Sequence, residues 1–242
     1  MRITNHGAFL TQLTRFPRVF PVNTYLVREP EGLTLIDAAI PGSERAILAA
    51  ASTLGLPITR IILTHAHADH VGSLDALHSA LPEAEVMISA RDARLLAGDM
   101  SLDQHEPQTQ PRGAFQPVST RPTRLVVDGD RIGSLLVVAA PGHTPGHIAL
   151  YDTRDGSLIA GDAFQTRAGL AVSGTLRMLF PFPAMATWHR PTALASAHAL
   201  RALGPTCLAV GHGAVLDQPL AAMDAAIVEA TRELGEAQPR GA

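Results

Sequence analysis

Thr64-His65-Ala66-His67-Ala68-Asp69-His70 follows directly on the apolar run Ile61-Ile62-Leu63, and this junction decides how the chain is read. Three imidazoles and a carboxylate fall within six residues. Imidazole nitrogen and carboxylate oxygen are the donors that zinc and its neighbours take, so the chemistry alone makes this a metal-site signature. A histidine-rich surface tract would lack flanking structure. Here a short buried strand, Thr59 to Leu63, leads in, and Val71, Leu74, Leu77, His78 and Leu81 follow with helical spacing as far as Pro82. His65 and His67, two apart in extended chain, point the same way. Asp69 and His70 lie at the turn into the helix and face the same place from its other side.

Outward from this junction the chain alternates strands and helices. Val22–Val27 and Leu33–Asp37 read as a hairpin across Glu29-Pro30-Glu31-Gly32. Ser43 reads as the N-cap of an Ala-rich helix closed by Gly55. Val86–Ser89 is a strand and Arg91–Ala97 a short helix. Residues 98–122, polar and carrying four prolines, read as a long surface loop or lid. Leu125–Val127 and Arg131-Ile132 flank Asp128-Gly129-Asp130, a hairpin signal. Ile148–Tyr151 and Ser157–Ala160 pair across a turn ending at Gly156. Thr187–Leu203 reads as a helix and Cys207–Val210 as a strand. A final amphipathic helix carries Leu220, Met223, Ile227 and Leu234, with 236–242 as a frayed tail. Two blocks of strands with helices at their ends predict one domain, 1–242, built from two similar halves.

Composition narrows the function. The 242 residues are 46% hydrophobic and 17% charged, enough apolar content for a sizeable core. The net charge of −3 gives no basic footprint for nucleic acid or an anionic membrane. All 19 basic residues are arginine, which excludes a lysine Schiff base. The single cysteine, Cys207, excludes thiolate metal clusters and internal disulfides, and its strand setting makes it a small buried hydrophobe. No signal peptide and no run long enough to span a bilayer is present, so a soluble, cytoplasmic protein acting on a small molecule is expected.

Further candidate ligands fall at strand ends. His143, Asp162 and His212 each follow a short apolar strand and adjoin a glycine, which lets backbone approach closely. Strand-end residues of this type converge if their strands share a sheet edge. Seven donors are too many for one tetrahedral ion and suit two, with a shared carboxylate.

His65-x-His67-x-Asp69-His70, Pro141-Gly142-His143, Gly161-Asp162 and Gly211-His212-Gly213, in that order, resemble the metallo-β-lactamase-fold hydrolases, as does Leu35-Ile36-Asp37-Ala38-Ala39. The resemblance implies a four-layer αβ/βα sandwich of two mixed β-sheets flanked by helices. It implies that His65, His67 and His143 hold one ion, that Asp69, His70 and His212 hold a second, and that Asp162 bridges. The cofactors would be two divalent ions, zinc first, with manganese, iron or cobalt also suited. A hydroxide between them would be the nucleophile, with Asp69 orienting it and Asp37 steadying the histidine loop from behind.

Subfamily departures sharpen this. β-Lactamases of the fold usually carry Cys or Ser at the Asp162 position. Glyoxalase-type thioesterases add a C-terminal helical domain, lactonases of the fold usually place a Tyr just after the bridging aspartate, and tRNA-processing nucleases add a gripping arm. The expectation is therefore a small hydrolase cleaving a carboxylic ester, lactone or thioester, with phosphodiester and β-lactam hydrolysis as alternatives. A rival from another class is a mononuclear iron persulfide dioxygenase, which uses two histidines and one aspartate. The apolar stretch 163–188 reads as a wall over the metals or a subunit interface, the latter compatible with a homodimer. Phe164, Arg167, Arg177 and His189 are its candidate substrate contacts. His6, His78, His105, His147 and His198 are read as structural or surface residues.

Overall fold

The computed structural model describes residues 1–237; most of the tail 236–242 therefore lies outside the described residues. A seven-stranded sheet is laid down by β1 (Arg2–His6), β2 (Leu10–Arg15), β3 (Val22–Glu29), β4 (Gly32–Ile36), β5 (Ile58–Ile62), β6 (Glu85–Ser89) and β7 (Arg124–Val126), in that spatial order. Its first four strands are antiparallel, and β4 to β7 are parallel. The parallel connections run through α1 (Glu44–Leu54), α2 (Ala68–Val71), α3 (Leu74–Ala80) and α4 (Ala90–Leu96).

A six-stranded sheet follows, from β8 (Arg131–Ile132), β9 (Leu135–Ala139), β10 (Ile148–Asp152), β11 (Ser157–Ile159), β14 (Cys207–Ala209) and β15 (Leu216–Asp217). Between its halves lie the ribbon β12 (Phe164–Gln165) with β13 (Ala171–Val172), then α5 (Phe182–Ala186) and α6 (Arg190–Ala202). The last element is α7 (Leu220–Ala237).

Period-two alternation sorts the side chains into three apolar layers. On the first sheet Leu33, Leu35, Ile61, Val86 and Ile88 face α1, α3 and α4. Ile36, Ile62 and Met87, their neighbours in sequence, point the other way and meet Val137, Ile148, Leu150 and Ile159 of the second sheet. Ala149, Leu158 and Leu208 face α6 and α7 through Ala197, Leu200, Met223 and Ile227. This is the expected four-layer αβ/βα sandwich. Each Leu or Ile buried in these layers contributes about 1.5–3 kcal/mol before ordering costs. Cys207 sits in the inter-sheet layer, where burial pushes its thiol up to about 11.

Four local expectations are corrected. Residues 125–132 form no hairpin: β7 closes the first sheet against β6, while β8 pairs with β9 in the second, so Asp128-Gly129-Asp130 carries the chain between sheets. The helical stretch after Asp69 is broken at Gly72-Ser73, where the two amides donate to the Ala39 and Ala38 carbonyls instead of to the preceding helical turn; Gly72 sits so close to Pro41 and the Ala39 carbonyl that a side chain would collide with both. Ser43 caps α1 only through its carbonyl, which accepts from Ala46 and Ile47; its side chain makes no capping bond. The helix expected from Thr187 starts at Arg190, with His189 as its N-cap, accepting from the Thr192 amide.

Candidate metal centre

Five strand ends share one edge of the two sheets. β4 and β5 run parallel and deliver Asp37 and residues 64–70; β9, β11 and β14 run in a common direction and deliver His143, Asp162 and His212. Carboxyl ends of parallel strands are where open α/β sheets present their ligands, since helix starts and loops gather there.

The structure brings the seven donors together. One ring nitrogen each of His65, His67 and His143 forms a compact trio, and Asp69, His70 and His212 form another; within each group the donor atoms lie within 4.8 Å. Asp162 stands between them, with Oδ2 3.4 Å from His143 Nε2 and 3.2 Å from His212 Nε2, and Oδ1 3.5 Å from His70 Nε2.

Each of the five histidines has its outward nitrogen tied to a specific polar atom, and this fixes where its lone pair points. The Thr64 hydroxyl donates to Asp37 at 2.8 Å, so it accepts from His65 Nδ1 at 3.0 Å. His67 Nε2 donates to the Arg112 carbonyl at 2.7 Å, and His212 Nδ1 to the Pro21 carbonyl at 2.7 Å. His70 Nδ1 is held by Asp37 Oδ2 at 2.8 Å. At His143 a relay of hydroxyls does the same: Nδ1 lies 3.0 Å from Ser173 Oγ, which lies 2.8 Å from Thr187 Oγ1, which donates to the Pro183 carbonyl. His65 Nε2, His67 Nδ1, His70 Nε2, His143 Nε2 and His212 Nε2 therefore all face the centre. His65 Nε2, His70 Nε2 and Asp162 Oδ1 are buried there without a hydrogen-bond partner among the described residues. Lone pairs that converge without donors are what a cation satisfies, so the residues fit divalent metal.

Electrostatics agree. Burial pushes His65 and His143 well below the ordinary imidazole range, with adjoining imidazoles adding to the effect. Burial opposes charge on His212 too, yet Asp162 and Asp69 outweigh it and raise the group to about 10. His70 is likewise raised, against burial, by Asp37, Asp162 and Asp69. Asp162 and Asp69 are held ionised, despite burial, by His70 and His212. The carboxylates draw positive charge to the middle of the cluster.

Asp37 anchors the histidine loop from behind. Its Oδ1 accepts from the Thr64 amide at 2.7 Å and its Oδ2 from the Thr64 hydroxyl and His70. The residue has φ +63°, a left-handed conformation that costs a side-chain-bearing residue about 1 kcal/mol and is held here by these bonds. Asp37→Asn places an amide where three donors converge, and a fall of about 10- to 100-fold in zinc affinity is expected in competition with a chromophoric chelator.

Several contributors carry no sequence signature of their own. Asp92, at the start of α4, is fully buried; it accepts from the Ala66 amide at 3.0 Å, the Gly146 amide at 2.7 Å and the Thr144 hydroxyl at 2.7 Å. It thus ties the 64–70 loop to the loop of His143. Asn23 and Tyr25 donate to the Val210 carbonyl at 2.8 and 2.7 Å, and Asn23 also to Gly213, fixing the turn of His212. His147 is buried, and its Nε2 accepts from the Asp162 amide at 3.0 Å. Gly211 has no room for a side chain: a Cβ there would collide with the Asp162 carboxylate.

A cavity of about 420 Å³ opens onto the donors, lined by His67, Asp69, His143, Asp162 and His212 at its floor and by Phe20, Ile40, Pro41, Phe182, Pro183 and Met185 on its walls. Part of the 163–188 segment is therefore wall. The four candidate substrate contacts are not. Phe164 is fully buried under the second sheet, and Arg167 donates to the Arg18 carbonyl. Arg177 is paired with both oxygens of Glu229, and His189 is occupied as the cap of α6. Nearness to Asp162 in sequence is not nearness to the cavity. The 98–122 loop, in contrast, reaches the site: Gly113 and Ala114 line the cavity, Ala114 accepts from the Ala68 amide, and Thr109 accepts from the Trp188 indole.

The sequence model of the Metallo-beta-lactamase superfamily matches residues 17–212, which spans every donor in this centre. The chain belongs to the metallo-β-lactamase superfamily. Among its superfamily relatives, the uncharacterised protein YobT of Bacillus subtilis (strain 168) is 53% identical over 96% of this chain and 100% of its own length. A hydroxyacylglutathione hydrolase of Rhodospirillum rubrum is 32% identical over 56% of this chain, which spans 45% of that enzyme. Among solved structures, TTHA1623, crystallised in a di-iron-bound form, superposes with a TM-score of 0.64 at 30% identity, covering 87% of this chain and 96% of that one. Superfamily members are metal-dependent hydrolases, and this chain carries His/Asp clusters that could hold metal. Among the described residues, no helix is long and apolar enough to cross a membrane.

Proposed function

We propose that this chain is a dinuclear metallohydrolase that cleaves a carboxylic ester, lactone or thioester, with zinc as the first candidate metal. The observation that carries it is the placement of Asp162 between two complete donor trios, one of its oxygens beside both His143 and His212 and the other beside His70. His65, His67 and His143 would hold one ion and Asp69, His70 and His212 the other. When bound, two such ions supply a hydroxide nucleophile near neutral pH and polarise the oxygen of the bond to be cleaved.

The protein's own contribution is positioning. Asp37, Ser173, Thr187 and the Arg112 and Pro21 carbonyls hold the imidazoles in the tautomer that leaves their lone pairs free. Asp69 is part-exposed at the cavity floor and held ionised, so it is placed to orient a nucleophile or take its proton. The relatedness to a hydroxyacylglutathione hydrolase supports the thioester branch. Iron is a second candidate metal, supported by the di-iron form of TTHA1623. The seven converging donors weigh against a mononuclear two-histidine, one-aspartate iron centre.

Chelation followed by dialysis is expected to abolish turnover of esters, lactones and thioesters, and added zinc to restore it, with phosphodiesters and β-lactams untouched. A metal-loaded protein that turned over none of the three acyl classes would refute the proposal.

A further inference from the structure

The walls of the cavity carry information that the donors do not. Phe20, Ile40, Phe182 and Met185 make its upper part apolar, and the Phe20 ring packs tilted against Phe180 and edge-on against Phe182, each at 5.1 Å between ring centroids. Among the described residues, no arginine side chain lines it. Arg167 and Arg177 are engaged elsewhere, and Arg112, beside the cavity in sequence, offers the site its carbonyl, is itself exposed and is not among the lining residues. Among the described residues, the charged side chains at the floor outside the histidines are Asp69 and Asp162, both of which belong to the donor clusters.

The apolar surface does not stop at the mouth. Phe182 and Met185 are 52% and 66% exposed, and the segment leading into them carries Leu179 at 88% and Met178 at 83%. Large aliphatic side chains this exposed, continuous with an apolar cavity over a reactive centre, mark a surface used for binding.

From this we infer that the substrate presents an uncharged, extended apolar acyl chain, which lies along Phe20, Ile40, Phe182 and Met185 and leaves the cavity over the exposed 176–185 segment. The inference rests on the hydrolase reading and specifies its substrate class. A glutathione-sized polar thiol or an anionic acyl group would meet apolar walls, with no arginine side chain along them to receive it. A second copy of this chain is the competing occupant of the exposed segment.

Zinc-loaded protein should be assayed on acetyl, butyryl, octanoyl and dodecanoyl esters of one chromophoric alcohol, and on the succinyl ester as an anionic control. Burial of each methylene in such a cavity raises kcat/KM up to about fourfold, so octanoyl should exceed butyryl by about a hundredfold and succinyl should fall below butyryl. In Phe182→Ser and Met185→Ser, both at side chains more than half exposed and outside the buried core, the octanoyl-to-acetyl ratio should fall at least about tenfold. Independently of turnover, the neutral fluorophore N-phenyl-1-naphthylamine should bind the protein and be displaced by methyl octanoate, and bind weakly to both variants. Turnover of all chain lengths at equal rates overturns the acyl subsite and leaves the hydrolase reading standing. Fluorophore binding displaced by methyl octanoate, with no ester, lactone or thioester hydrolysed, leaves the subsite standing and removes the hydrolase reading. A concentration-independent dimer that binds no fluorophore overturns the subsite and assigns the segment to a subunit interface.

Discussion

Replacing Asp162 with alanine is expected to lower ester or thioester turnover by about a thousandfold or more, equivalent to at least about 4 kcal/mol of barrier. Asp162 lies within 3.5 Å of donors from both trios. Removing it takes away the proposed shared ligand and the negative charge beside His70 and His212. The fold should survive, because the backbone of residue 162 is positioned by other means: its amide donates to His147 Nε2, and the adjoining Gly161 carbonyl accepts from Gly211. Circular dichroism and the metal-free Tm should therefore stay close to those of the wild type while metal content and kcat fall. Retention of turnover within tenfold would remove the bridge from the account.

Asp92→Ala should be the most damaging change at a residue outside the donor set. The carboxylate receives two amides and a hydroxyl in a fully buried setting, and alanine leaves all three donors without partners. Each unsatisfied buried donor costs about 1–3 kcal/mol, so three of them should lower stability by at least about 3 kcal/mol by urea denaturation. Because Asp92 joins the loops of His65, His67 and His143, zinc affinity should fall with it, and Asp92→Asn should recover part of the stability. The titration has a definite sign. Burial pushes the Asp92 carboxyl up to about 6, its three donors opposing, so the folded state binds this proton more tightly than the unfolded chain does. Asp92 therefore adds stability as pH falls from about 6 toward about 4, and Asp92→Asn loses that component. A loss under about 1 kcal/mol in Asp92→Ala would show that the two loops are held together in some other way.

The two results bear differently on what could be read from the chain. The donors were legible because metal chemistry concentrates rare residue types at strand ends: His65, His67, Asp69 and His70 declare themselves within six residues, and the glycines beside His143, Asp162 and His212 mark close backbone approach. The four layers were legible because alternation in β4, β5 and β6 assigns each side chain to a face. Asp92, Ser173 and Thr187 were not, because a single buried hydrogen bond has no spacing and no period. The hairpin reading of 125–132 failed for a related reason: Asp128-Gly129 is a local turn signal, but which sheet β7 joins is set by its distant partner β6. Phe164, Arg167, Arg177 and His189 follow Asp162 along the chain or stand at a helix start, but none of them lines the cavity. The cavity is instead walled by α5 and by Phe20 and Ile40, which arrive from the other half of the molecule.

Native mass spectrometry of the metal-free protein titrated with zinc tests the central claim most directly. Two ions per chain are predicted, with hydrolysis rising only as the second is bound, and Asp162→Ala retaining at most one. Full hydrolytic activity at one ion per chain, or a chain that binds no zinc through these residues, would contradict it.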